Sequence, residues 1–584
     1  MAAQRPARPP AQPPAGMRVG QAPRPRTPGP RPPRRPVPPG PVGGDTLRTM
    51  EDLPPMPRRP QPRGRRLRPV PPIPDPSPLL PQPPNDEEKY SYVARHLWVM
   101  NVGSLVSFIF LAITAVKFVS ISALWLAAPF LFFTVLNYVL SLRIDLFSKN
   151  FDLKHHKKIV DNWKPDVYPS VDVFLPVCGE PIEVIHNTWT AVRRVVEHYP
   201  GKVVPYVLDD GASPELAAMA ADFGFRYGSR PNQGWYKKAG NLQFGFHSSD
   251  GDFILLLDAD FAPRHDILDE VLPVMYDEPD VGIVQTPQFF RVLDHQTWVE
   301  RGAGASQELF YRSVQVSRQR RNGSICVGSC AVYRRAALND NNGTTLIEHS
   351  EDIHTGYDLQ VLGWGTKYVP IALSAGVCPD NPGAFHNQQY RWCMGSFSLL
   401  GAKKFWKAPL PVSTKISFSA GMLYYLHTAL FTFVAPILPI MMLIGAPDLM
   451  NLKHMVWLLP SLIYATIIFP AWHRAPFRLE AWAVGMMQGW AHVFALWDMV
   501  RGREMGWKPS GSSGVKKNKM RRVIIAYAVW SGGCSIIWVG LSCWRMATMY
   551  PPDVAMALST ALFYAVVVGR VLVEPREFLK ADED

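Results

Sequence analysis

Two carboxylates stand two residues apart in "LLLDAD", Asp258 and Asp260, at the end of an apolar run. At a strand terminus both can approach one hard cation, and Mg2+ and Mn2+ prefer oxygen ligands and often bridge a diphosphate. In a plain solvated turn the same pair would serve only to cap a helix. "KVVPYVLDDG" closes another apolar run on Asp209 and Asp210, which can accept hydrogen bonds from a base or a ribose. "KKAGNL" supplies Lys238 beside a small Ala-Gly pair, suited to close approach by phosphate. "EHSEDIHTGYDLQVLGW" puts Asp352 at or near a helix start. There it is either an N-cap or a general base that takes a proton from an attacking hydroxyl. "FHNQQYRWCMGS" then gathers Gln388, Arg391 and Trp392 just before the chain turns strongly hydrophobic.

The acids need strands to carry them. "VDVFLPVCGE" reads as a buried strand ending in a turn, and "IEVIHNTWTAVRRVVEHY" has helical apolar spacing. With "KVVPYVLDDG" and "DFILLLDADF" as further strands, the alternation predicts an α/β layered fold with a largely parallel sheet. Ligands bind beyond the carboxyl ends of such strands, where Asp209, Asp210, Asp258 and Asp260 fall.

The 584-residue chain joins regions of very different composition. Residues 1–84 hold 29 of its 57 prolines, and 15 Arg against 4 acidic residues, so +11 of the formal net charge of +13 lies there. Such a segment has little apolar surface to bury, and residues 1–88 are expected as a disordered Pro/Arg-rich tail. It serves as a solubilising tail or as a polybasic arm on anionic lipid. No signal peptide is expected, since no apolar core follows Met1. Seven scattered cysteines, without CxxC pairs or His partners at ligand spacing, predict neither a disulfide framework nor a structural zinc.

Trp98–Val119 and Ile121–Leu142 are nearly uncharged runs of spanning length and form a hairpin within 95–142. A polar domain fills 143–411. Ile416–Ile444 and Met455–Trp472 cross again within 412–475, as do Arg521–Ala547 and Val554–Val573 within 521–575. Glu480–Val500 is apolar but carries Gln488, His492 and Asp498. It is expected as a helix lying at the interface, within a 480–520 segment that ends in a mobile loop. Six crossings place the tail, the 143–411 domain, the basic loop Lys516–Arg522 and residues 576–584 on one side. The Lys/Arg clusters make that side cytoplasmic.

The ordered set DDG (209–211), DAD (258–260), "QTPQFF" (285–290), SED (350–352) and QxxRW (388–392), with spans on both sides, resembles the inverting, processive family 2 glycosyltransferases. These are cellulose synthase and its relatives, including the chitin and hyaluronan synthases, and the likeness covers roughly residues 95–575. It implies a GT-A type domain inserted between α-helical transmembrane segments. It further implies that Asp209 holds the uridine, that Lys238 meets the base or phosphates, and that Asp258 and Asp260 serve Mg2+ or Mn2+ and UDP. Asp352 is then the base, and Gln388 and Arg391 bind the diphosphate, Arg neutralising charge on departing UDP. Trp392 stacks on the terminal sugar. "SICVGSCAVYRR" resembles the segment that touches the growing chain, which makes Cys326, Gly328 and Ser329 acceptor-binding, although it has one residue more between Cys and Gly. "RGREMGWKPSGSSGVKKNK" is placed like a gating loop, with Trp507 and Lys508 as candidates, or is a plain linker.

The expected activity is polymerisation of sugars, foremost glucose, from a UDP-sugar into an exported β-linked glycan. The expected partners are the donor, the growing polysaccharide, the plasma-membrane bilayer and an extracytoplasmic accessory subunit, with no nucleic acid. The chain ends about ten residues past its last span, so no cyclic-di-GMP-binding domain is expected, and SED stands where TED is commoner. A GlcNAc-containing, β-1,3 or mixed-linkage polymer is the nearest alternative. A non-processive transferase acting on a lipid-linked sugar fits QxxRW poorly. A transporter with a nucleotide-binding domain lacks its GxxxxGK[ST] loop.

Overall fold

Strand β1 (Val171–Val177) is buried at every position, as is β2 (Val203–Asp209). An unbroken apolar run of this kind is what a parallel strand covered on both faces requires. After them come β3 (Arg226–Gly228), β4 (Phe253–Leu256), β5 (Ala262–Pro263), β6 (Val281–Gln285) and β7 (Gln288–Phe290). The series ends with β8 (Ala331–Arg334), β9 (Gly365–Tyr368) and β10 (Ser374–Gly376). This is a computed structural model, and it describes residues 80–93, 97–119, 150–319, 322–502 and 517–573, with isolated positions at 132, 135, 136 and 139.

The main sheet runs β3-β2-β1-β4-β8-β6-β9, and β5-β10-β7 form a small second sheet. The expectation of a largely parallel sheet holds for the six strands flanking β8, which is antiparallel to both its neighbours, β4 and β6. The reason lies in the register. Ala331 opens β8 opposite Leu256 and Gln285, the last residues of β4 and β6. The segment before it, residues 326–330, therefore arrives at the carboxyl edge of the sheet and must enter the sheet from that end.

Five helices position the site: α1 (Lys237–His247), α2 (Trp298–Leu309), α3 (Glu351–Val361), α4 (Pro382–Gly401) and α5 (Leu479–Val500). Helix α5, expected at the interface, packs against α2 and α4 and also against the apolar helices Val412–Val434 and Pro551–Leu572. Its buried face is mostly small or apolar, with Ala481, Ala483, Gly489, Ala491 and Ala495 beside Met487 and Trp490. Small residues let one helix serve several close neighbours.

Among the described residues four helices are long and apolar enough to cross a membrane: Val412–Gly445, Leu452–Trp472, Met520–Thr548 and Pro551–Leu572. They coincide with four of the expected crossings. Trp98–Val119 lies on the helix Leu97–Val119, whereas Ile121–Leu142 falls almost wholly outside the described residues.

The tail expected to be disordered through residue 88 stops short of that point. Residues 80–93 lie on the domain, with a capped helical turn at Asp86–Lys89. Arg291 grips Glu88 through two hydrogen bonds of 2.7 and 2.6 Å and also donates to the carbonyls of Gln82 and Pro83. Arg264 donates to the Pro84 carbonyl at 2.6 Å, and Lys89 pairs with Asp266 and Glu270. Tyr92 is buried against Phe289 and Tyr311. Acidic and aromatic residues thus give this stretch partners that composition alone did not reveal. Truncation of residues 1–79 is expected to leave specific activity in detergent unchanged. Truncation of 1–93 should lower the melting temperature markedly, since losing a buried aromatic alone costs about 3–5 kcal/mol. Equal melting temperatures for the two truncations would contradict this account.

Candidate active site

A cavity of about 1720 Å3 opens at the carboxyl edge of the sheet. Asp210, Lys238, Asp258, Asp260, Asp352, Gln388, Arg391 and Trp392 all line it. Its far wall is formed by Tyr424, Trp482, Gln488, Trp538 and Tyr564, on α5 and the apolar helices. One space therefore joins the acidic cluster to the membrane-type helices.

Lys238, at the start of α1, donates to Asp258 at 2.5 Å and to the Gly328 carbonyl at 2.8 Å, with Glu351 at 3.8 Å. Burial works against its charge, but Asp258 and Glu351 outweigh it and hold the ammonium above the ordinary lysine value. Burial, and next the charge of Asp258, push the Asp260 carboxyl up to about 7, and Lys238 lowers it by less than its surroundings raise it.

Asp352 is the second residue of α3, not its cap. The N-cap position is Ser350, in the left-handed region at φ 55° and without a side-chain cap hydrogen bond. One Asp352 oxygen accepts from the Ile353 amide at 2.8 Å. The other faces Gly328, where an added Cβ would stand 2.9 Å from it at a φ of +76°. Burial and then the Glu351 charge raise the Asp352 pKa. Helix α4 buttresses this turn, since a Cβ at Gly395 would meet Ser350 Oγ at 1.8 Å. The QxxRW motif is explained by helical spacing: residues 388, 391 and 392 share one face of α4 and turn it to the cavity. Gln389, between them, is buried and also borders the cavity. Burial lowers the Arg391 pKa, and Glu351 and Asp258 oppose that shift.

Three expected site residues stand off the cavity. Asp209 is wholly buried, its carboxylate taken up by the amides of Gly211 and Ser213 at 2.7 Å each and the Tyr227 hydroxyl at 2.8 Å. It knots the turn after β2, and Asp210 faces the cavity instead. Cys326 is buried with its thiol 3.0 Å from the Tyr333 hydroxyl. Ser329 is buried and accepts from the Asp258 amide at 2.9 Å. Gly328 lies at the site through its carbonyl and its bare Cα. Trp507 and Lys508 lie outside the described residues.

Two further residues lie in stretches the sequence singled out but had no role assigned to them. Glu180 follows the turn after β1, lines the cavity and adds charge beside Asp260. Gln285 ends the apolar strand β6 and clamps the 326–330 segment, donating to the Ser329 carbonyl at 2.8 Å and accepting from the Val327 amide at 2.9 Å. An amide closing an otherwise apolar strand was the signal available for it.

The donor set suits a small divalent cation. Among the described residues no group of three or more His, Cys, Asp or Glu stands ready to cage a metal. Asp258 and Asp260 offer two hard carboxylates in a space wide enough for a diphosphate, which is how Mg2+ is commonly held, by one or two carboxylates plus phosphate oxygens. Burial and, next, the Asp258 charge raise the Asp260 carboxyl, and a cation would relieve the like-charge part.

Gly328 offers a direct check of this geometry. Gly328→Ala should lower turnover by about 10²-fold through displacement of the Asp352 carboxylate, with the protein still folded by near-UV circular dichroism. Wild-type turnover would show that the contact is unimportant.

The family described as "Glycosyl transferase family group 2" matches residues 253–470. Cellulose synthase 1 of Komagataeibacter xylinus is 34% identical over 238 residues, 40% of this chain and 15% of that protein. The UDP-forming cellulose synthase catalytic subunit of Pseudomonas fluorescens is 29% identical over 317 residues, 52% of this chain and 42% of that one. The chain thus matches less than half the length of these relatives. A mannosyltransferase structure from Pyrobaculum calidifontis, in complex with GDP-Man and Mn2+, has 16% identity and a TM-score of 0.45, covering 65% of this chain and 100% of that one. Residues 253–470 thus match the group 2 glycosyl transferases, and part of the chain is similar to cellulose synthases.

Proposed function

We propose that the chain is a membrane-embedded, inverting and processive glycosyltransferase that adds glucose from UDP-glucose to a β-linked glycan and exports the product. The observation that carries this reading is the single cavity shared by the acidic site and the membrane-type helices. A glycan lengthened at such a site has a covered route away from it. In this reading the catalytic domain and both termini lie on the cytoplasmic side of the plasma membrane, which the distribution of the Lys/Arg clusters supports.

In this reading Lys238 and Arg391 bind the donor diphosphate, and Gln388 orients it. Asp258 and Asp260 would hold Mg2+ or Mn2+, which neutralises charge on the phosphates when bound. The acceptor hydroxyl oxygen bonds to the anomeric carbon from the face opposite UDP as the bond to the β-phosphate oxygen breaks. UDP leaves with that electron pair, and Asp352 receives the hydroxyl proton. Trp392 gives the terminal sugar a flat apolar surface. Asp209 supports the site indirectly, by holding the turn that carries Asp210.

Purified protein in lipid should release UDP from UDP-glucose in the presence of Mg2+ or Mn2+, and a β-1,4-specific glucanase should digest the polymer. Turnover of UDP-GlcNAc instead, or a product cut only by β-1,3 or mixed-linkage glucanases, would move the reading to a sibling synthase. UDP release without polymer would remove processivity from it.

A further inference from the structure

Arg230 is among the largest fully buried side chains of the protein, and its guanidinium has no exposed surface. Its Nε and Nη2 form a fork on the two oxygens of Asp210, each at 2.6 Å. The remaining hydrogen bonds run to backbone: Nη1 donates to the Trp235 carbonyl at 2.6 Å and Nη2 to the Lys237 carbonyl at 3.0 Å. Asp210 also accepts from the Gly234 amide at 3.3 Å. Both partners therefore converge on one short loop.

That loop is unusual in its backbone. Tyr236 and Lys237 both lie in the left-handed region, at φ 46° and 49°. Large side chains seldom adopt it, and such a turn persists only where its surroundings over-determine it. The residue that follows is Lys238, whose ammonium reaches Asp258 and the Gly328 carbonyl.

We propose that Arg230, anchored by Asp210, is a positioning residue that fixes the Tyr236–Lys237 turn and so sets the Lys238 ammonium over Asp258 in the diphosphate site. The inference rests on the donor-site reading above and adds to it a role for the second acid of the DDG motif. Asp210 acts on the donor through Arg230 and Lys238, not by accepting from base or ribose. A lysine cannot substitute at 230, because a single ammonium lacks the planar fork that spans a carboxylate and two carbonyls together.

The test uses the full chain in nanodiscs, with UDP plus Mn2+ as the ligand. Hydrogen–deuterium exchange of the ligand-free protein should quicken over residues 234–240 in Arg230→Lys and in Asp210→Asn, with the sheet strands unchanged. UDP affinity should fall about tenfold in either variant, and the double variant should be no weaker than the weaker single, as expected for residues acting as one unit. In a Lys238→Met background, Arg230→Lys should cost nothing further. Wild-type exchange over 234–240 overturns the proposal. So does a full additional loss in the Lys238→Met background, or a multiplied loss in the Arg230/Asp210 double variant, which would place Asp210 on the nucleotide. Should the wild type itself fail to bind UDP, the donor-site reading falls, and the exchange data alone still decide whether Arg230 holds the turn. Asp210→Asn keeps the size and hydrogen-bonding shape of the anchor, so the question survives if Arg230→Lys does not fold.

Discussion

Asp352→Asn retains UDP binding and loses at least about 10²-fold in sugar transfer, the scale on which positioned general bases contribute. A sugar hydroxyl is a weak nucleophile at neutral pH, and a carboxylate facing the cavity is the group available to accept its proton. The donor contacts assigned to Lys238, Arg391 and Gln388 lie on other elements, so the variant should still bind UDP. The acidic neighbour Glu351 provides a second reading of the same site. Burial and the Glu351 charge raise the Asp352 pKa, and a base works only once deprotonated. Turnover should therefore fall as pH drops, with its acid limb displaced above the ordinary carboxylate value of about 4. Glu351→Gln removes a negative neighbour and should shift that limb to lower pH while leaving turnover at high pH largely in place. Normal transfer by Asp352→Asn, or abolition of transfer by Glu351→Gln at every pH, would reassign the base. Loss of UDP binding in Asp352→Asn would make the residue structural.

The sequence carried most of the architecture, and its failures have physical reasons. Buried strands advertise themselves as apolar runs, and acids at their ends mark the carboxyl edge, so β1, β2, β4 and the DxD pair were legible. QxxRW was legible in kind, but only the helix shows that 388, 391 and 392 share a face on the cavity. The orientation of β8 was not legible, because a four-residue strand reads the same in both directions. Asp209 and Asp210 could not be told apart by type. Backbone amides at Gly211 and Ser213 claim the first, and an arginine 20 residues away claims the second. Arg230 itself gave no sign, since a lone arginine in a loop is ordinarily a solvated one. Residues 80–93 were hidden by the company they keep, a proline-rich tail whose last members happen to find Arg264, Arg291 and Asp266.

Asp260→Asn abolishes turnover and weakens UDP binding in the presence of Mn2+ far more than in its absence. Two carboxylates at one strand end repel, and the structure leaves this repulsion half resolved. Lys238 sits on Asp258 at 2.5 Å, while Asp260 remains beside Asp258 and Glu180 with its carboxyl raised to about 7. A divalent cation bound between protein and diphosphate would draw on Asp258 and Asp260 from one side and phosphate oxygens from the other. With only two protein ligands, metal affinity should be weak alone and strong once UDP is present, which calorimetry can measure in both orders of addition. Asparagine keeps one neutral oxygen at position 260 and removes the charge, so the coupling between Mn2+ and UDP should collapse toward none. Lys238 still meets the diphosphate in the variant, so metal-free UDP binding should change little. Full turnover in excess EDTA, or unchanged Mn2+–UDP coupling in Asp260→Asn, would take the metal role away from this pair. Asp260 would then be read as a protonated carboxyl that donates one hydrogen bond to the donor.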